Sequence, residues 1–262
     1  MTHPGPSAVF HSSDDLYCPT GLSRGPWHDD AQHGGAPAAL LAHVAQAEAG
    51  PGFFLARLTL ELTRPVPIAP LRVSATAGQG RTVRRIDLVI THEDAPVARA
   101  TALMIAKSQV DMTSAPAQRL TPEPQACTER FQTPGMPTGE RFHDAAMEIL
   151  VARGSTRAPG PAAAWLRLCQ PVVAGQHTTP AMRAAAAADF GNGLSWVLPF
   201  DRYIFANTDL TFYLHREPVG EWIGVDAATV AQNNGVGLAS STLYDGQGTI
   251  GMAHQNLLIR AR

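Results

Sequence analysis

The strongest constraint on the fold is that the chain carries nearly the same pattern twice. Residues 34–49 read as a helix. Ala38, Leu41, Ala45 and Leu40, Val44 recur at helical spacing, Pro37 suits a first turn, and Gly50-Pro51 is a stop. Four strand-like runs follow at 53–63, 71–77, 83–92 and 96–106. Turn signals separate them at Arg64-Pro65, Gly78-Gln79-Gly80 and Glu93-Asp94. A proline-rich stretch, 107–138, reads as an extended linker. Then strand-like runs at 145–151 and 163–168 lead to an alanine-rich helix, 180–190. Strands at 205–215, 222–230, 236–244 and 249–260 complete the second copy. Asp245-Gly246-Gln247-Gly248 gives a hairpin signal between the last two.

The copies align. Arg57-Leu58-Thr59-Leu60-Glu61-Leu62-Thr63-Arg64 lies over Asp209-Leu210-Thr211-Phe212-Tyr213-Leu214-His215-Arg216, with Leu58, Thr59, Leu62 and Arg64 matched by identical residues. Pro37 lies over Pro180 and Ile105 over Ile259, in the same order and at nearly constant offset. A length of 262 residues allows two such units, and 23 glycines with 21 prolines suit their many turns.

Composition narrows the function classes. Hydrophobic residues are 45% and charged residues 16%, too apolar for a disordered chain. Twenty basic against 22 acidic residues give no electrostatic case for nucleic acid or an anionic membrane. Cys18, Cys127 and Cys169 form no CxxC pair and no disulfide framework, which fits a reducing cytoplasm. No apolar run nears the roughly 20 residues of a membrane span. Met1 to Pro6 lack the basic start and apolar core of a signal peptide. The histidines are scattered, with no His-Glu-x-x-His motif or Cys/His cluster, so neither a metal nor a cofactor is expected.

Three polar positions stand out in the second copy. Met182, Ala185, Ala186 and Asp189 fall at i, i+3, i+4 and i+7, which sets a carboxylate on the stripe facing the sheet. Asp189 could instead end the helix and turn to water beside Gly191-Asn192-Gly193. Strict alternation along 205–215 puts Thr208 inward with Leu210, Phe212 and Leu214, and Asp209 outward. Gln255 shares a face with Ala253, Leu257 and Ile259, where an amide needs partners. Taken singly, Thr208 and Gln255 also read as residues bonding nearby backbone. In the first copy, His33-Gly34-Gly35 precedes the helix. Two glycines let a ligand approach free N–H groups at a helix N-terminus, or serve only the turn. His33 reads as a cap or pocket wall.

With these residues in these elements, the chain resembles acyl-CoA thioesterases of the medium-chain, TesB-like type over roughly 22–260. The resemblance implies an α+β fold, a double hotdog of two long helices each wrapped by a curved antiparallel sheet. It implies domains at 1–110 and 141–262 joined by 111–140. It implies catalysis by Asp189, Thr208 and Gln255, with a backbone N–H at Gly34-Gly35 as oxyanion donor and His33 beside it. The first-copy counterparts of the catalytic three are Gln46, Ala56 and Thr101, so one site per chain is expected. The implied reaction is hydrolysis of a fatty acyl-CoA thioester by directly activated water, without a cofactor, in a cytoplasmic homo-oligomer. Two other readings stand beside it. One is a non-catalytic acyl-CoA-binding protein. The other is a 2-enoyl-CoA hydratase using Asp29 and His33, although the spacing is one residue short and an Asn-Pro is missing. Trp196 is a candidate acyl-tunnel wall. Arg81, Arg84 and Arg85 could meet CoA phosphates or simply edge a strand in solvent.

Overall fold

A computed structural model describes residues 8–113 and 117–262, so the reading of Met1 to Pro6 lies outside the described residues. The chain runs β1 (Phe10–Ser13), β2 (Leu16–Pro19), α1 (Gly35–Ala49), β3 (Phe53–Leu62), β4 (Leu71–Ala77), β5 (Val83–His92), β6 (Ala95–Ala106) and β7 (Glu129–Arg130). It continues with β8 (Met147–Arg153), β9 (Ala162–Leu168), α2 (Pro180–Ala188), α3 (Gly191–Leu194), β10 (Tyr203–Asn207), β11 (Asp209–Leu214), β12 (Trp222–Ala231), β13 (Val236–Asp245) and β14 (Gly248–Ala261).

The described strands form one antiparallel sheet, ordered β1-β2-β4-β5-β6-β3-β11-β14-β13-β12-β9-β8-β7, with β10 also on β14. The two copies meet where β3 pairs β11, and this seam is the segment that aligns in the repeat. Thr59 aligns with Thr211 and also pairs with it, their hydroxyls 3.3 Å apart. A residue that is both the copy and the antiparallel partner of another marks a local two-fold axis. The repeat is therefore a rotation as well as a duplication.

α1 packs on β3 to β6, α2 on β9 and β11 to β13, and the helices pack on each other. Alanine makes the helix contact possible. Ala184 to Ala188 are fully buried in α2, as are Ala38, Leu40, Leu41 and Ala45 in α1. Truncating Leu40 or Leu41 to alanine would cost about 2–5 kcal/mol, the usual range for a closed aliphatic core. The 107–138 stretch is partly anchored. Leu120 packs against Trp165 and Tyr244, and Trp165 Nε1 donates to the Pro122 carbonyl at 2.8 Å.

Most element boundaries fall within two residues of the sequence reading, but β1, β2 and β7 have no counterpart in it. One larger difference bears on the site. The expected single strand 205–215 is broken at Thr208. β10 and β11 both lie along β14, with Asn207 opposite Leu257 and Thr211 opposite His254. Four steps on one side match three on the other, so the strand carries one extra residue, a bulge. Thr208 N–H donates to the Asn256 carbonyl at 3.0 Å, and Asn256 N–H donates to Asp209 Oδ1 at 2.7 Å. The bulge shifts side-chain parity by one. Phe205 and Asn207 turn inward, whereas Thr208, expected inward, is exposed.

Candidate active site

Asp189 caps the C-terminal end of α2 and is 4% exposed. A carboxylate so deeply buried needs hydrogen-bond partners, and three other segments supply them. Its Oδ1 accepts from Asn207 Nδ2 at 2.7 Å and from Gln255 Nε2 at 2.9 Å. Its Oδ2 lies 2.9 Å from His33 Nδ1. Gln255 is fixed in turn, since Nε2 also donates to the Asp189 carbonyl at 3.0 Å and Oε1 accepts from Asn192 N–H at 3.2 Å.

The glycines explain how α1 reaches this carboxylate. Gly34 has φ −59°, an ordinary conformation, so glycine is required there for space. A Cβ at Gly34 would stand 2.8 and 2.9 Å from the Asp189 oxygens. A Cβ at Gly35 would meet the Ala186 carbonyl at 2.6 Å. The missing side chains let the N-terminus of α1, with its partial positive charge, rest on the end of α2. Gly35 N–H points at His33 Nδ1, 3.1 Å away. The His33 ring packs against Phe190 at 4.6 Å and Phe142 at 5.1 Å.

Asp189, Asn207, His33, Gly34, Asn192 and Phe190 border a cavity of about 340 Å³. Its walls are largely apolar, including Val66, Phe131, Met136 and Trp27, the last stacked on Phe200 at 4.4 Å. His143 is also part of the wall. Its Nε2 bonds the Pro137 carbonyl at 2.9 Å while Nδ1 has no partner. Burial, then the nearby His33, lowers the His143 pKa to about 4, so the ring is neutral near pH 7. Among the described residues no cluster of His, Cys, Asp and Glu is placed to hold a metal, and no helix is long and apolar enough to cross a membrane.

The sequence-derived residues are thus distributed unevenly. Asp189, Gln255, Gly34, Gly35 and His33 come together. Thr208 borders the cavity, but its hydroxyl points to the Asn256 carbonyl at 3.3 Å and makes no bond to Asp189. Asn207 makes that bond instead. The sequence carried a signal for it: an inward Thr208 would require Phe205 to face out. Asn192, on the single turn of α3, and His143 and Phe190, on turns, were also missed, since none lies on a long periodic stretch. Asp29 does not face His33. It is exposed and bonds Arg141, whose hydrogen bond and charge hold its carboxyl below the usual range. Trp196 packs beside the cavity wall with Phe200 and Phe205, bonded to the Thr156 carbonyl, and does not border the cavity itself. Arg84 is held by the Gly80 and Ala49 carbonyls.

Comparison with known proteins agrees with this architecture. The family model for the acyl-CoA thioesterase N-terminal domain matches residues 23–105, and that for the C-terminal domain matches 117–259. No curated protein matches the chain. Among solved structures, a candidate thioesterase II from Thermobifida fusca YX has a TM-score of 0.74 at 15% identity, covering 97% of this chain and 96% of that one. A hot dog fold protein from Alicyclobacillus acidocaldarius has a TM-score of 0.73 at 16% identity, covering 100% of both chains. An acyl-CoA thioesterase II from Mycobacterium marinum has a TM-score of 0.67 at 15% identity, covering 95% and 94%. At such identities the structural likeness establishes the hotdog fold, while the family match covers both halves of the chain. The chain therefore belongs to the acyl-CoA thioesterase family and is a thioesterase enzyme.

Proposed function

We propose that this chain hydrolyses a fatty acyl-CoA thioester to the free acid and CoA by direct attack of water. The observation that carries the reading is a buried carboxylate, Asp189, bonded at both oxygens on the border of an apolar cavity. The cavity takes the acyl group, and the negative charge of Asp189 activates the water. Gln255 and Asn207 fix the carboxylate, and Thr208, on the cavity border, orients water or substrate. As water oxygen bonds to the carbonyl carbon, the thioester oxygen gains charge beside an N–H of Gly34-Gly35 at the start of α1. Collapse breaks the C–S bond and releases CoA as its thiol.

In this reading the molecule is an α+β double hotdog, with units 1–110 and 141–262 joined by 111–140. Each half of the sheet wraps its own helix, and the protein works as a cytoplasmic homo-oligomer. A thiol-release assay across acyl-CoAs of increasing chain length tests the function. Release at any length, with a clear optimum, is the expected result. Tight acyl-CoA binding without CoA release would instead indicate a binding protein.

A further inference from the structure

The hydrogen bonds at His33 Nδ1 require a proton that the commoner histidine tautomer does not provide. Nδ1 lies 3.1 Å from Gly35 N in an acceptor's position and 2.9 Å from Asp189 Oδ2. A bare ring nitrogen and a carboxylate oxygen are both acceptors, so a contact this short needs a proton between them. Asp189 Oδ1 already takes two N–H groups, from Asn207 and Gln255, which leaves Oδ2 for that proton. With the proton on Nδ1 and the ring neutral, two things follow. Nε2 carries a lone pair, and Gly35 N–H loses its acceptor. Nε2 has no hydrogen-bond partner among the described residues, while the ring borders the cavity. Thioester hydrolysis needs a base facing the cavity, and this arrangement supplies one.

We propose that His33 is the general base of the reaction, and that Asp189 acts through it by holding the Nδ1–H tautomer. This rests on the thioesterase reading and changes which atom takes the proton. Nε2 removes a proton from water as the water oxygen bonds the carbonyl carbon. The carbonyl electron pair moves onto its oxygen, toward the N-terminus of α1. When that pair returns, the C–S bond breaks, and the proton passes from Nε2 to the departing sulfur. Water and thioester become acid and thiol, with no other reactant.

The titratable groups beside His33 are Asp189, from the end of α2, and His143, from the turn at 142–146. Arg141 lies beyond His143 and is bonded to Asp29 and the Gly25 carbonyl. His143 has Nε2 committed to Pro137 and its unpartnered Nδ1 buried, and burial lowers its pKa to about 4, which makes it a weaker base.

The test is His33→Asn, which keeps an N–H near the Nδ1 position but has no Nε2. A kcat loss of about 10²- to 10⁴-fold is expected, with KM nearly unchanged and the acid limb of the wild-type pH profile gone. Activity within about tenfold of wild type, with the same pH profile, overturns the proposal. Nitrogen NMR of the histidine-labelled wild-type protein reads the tautomer directly, with His33 assigned by its loss in the variant. Nδ1–H is expected, and Nε2–H overturns the proposal whatever the activity. An Nδ1–H signal in a protein that cleaves no acyl-CoA supports the pair and overturns the thioesterase reading instead.

Discussion

The helix pair has two comparable ends, and the proposed mechanism uses only one of them. At one end the N-terminus of α1 meets the C-terminal end of α2, where His33 and Gly34 face Asp189. At the other, the N-cap of α2 meets the C-terminal part of α1, where Thr179 Oγ1 donates to Gln46 Oε1 at 2.6 Å. Gln46 is the repeat counterpart of Asp189. The second end satisfies itself with one neutral hydrogen bond. The first holds a buried charge that needs Asn207, Gln255 and His33 from three other segments. The two ends share a geometry and differ in chemistry, and the proposed function rests on that difference. Each end combines both halves, so neither half alone carries a complete site.

This contrast can be broken from either side. Gly34→Ala should have a large effect on both activity and stability, since its Cβ would stand under 3 Å from both Asp189 oxygens. A kcat loss on the order of 10²-fold and destabilisation of about 1–3 kcal/mol are expected, measured by thiol release and denaturant unfolding. Gln255→Leu should also cost about 1–3 kcal/mol, because Asn192 N–H and Asp189 lose buried partners. Asn207→Ala removes a hydrogen bond to a carboxylate and should slow turnover roughly 10- to 100-fold. Thr208→Ala should fall below it, and the reverse order would contradict the bulged geometry.

His143 gives a pH test. Its folded pKa of about 4 lies below the unfolded value of 6.5, so the unfolded chain binds more protons between them. Stability should therefore fall as pH drops through that window, by up to about 3 kcal/mol, and His143→Gln should flatten the slope. Gln46→Ala should do least. It should lose about 0.5–1.5 kcal/mol in unfolding and leave kcat unchanged, because that end carries no chemistry.

Much of this was legible in the sequence. The repeat predicted both helices and the long strands, because hydrophobic period survives in one chain read alone. Asp189 and Gln255 stood out as polar groups on apolar stripes. Thr208 misled because strict alternation assumes an unbroken ladder, and a single bulge inverts every side chain before it. The His33–Asp189 contact was invisible for a different reason. It joins residues 156 positions apart through the packing of two helix ends, which no local pattern encodes.

The most direct measurement is acyl-CoA thiol release by Asp189→Asn beside Gln46→Ala, with folding verified by thermal unfolding. Asp189→Asn should lose about 10²- to 10⁴-fold in kcat while Gln46→Ala turns over like wild type. Near wild-type turnover by a folded Asp189→Asn protein would contradict the assignment of the chemistry to this end of the helix pair.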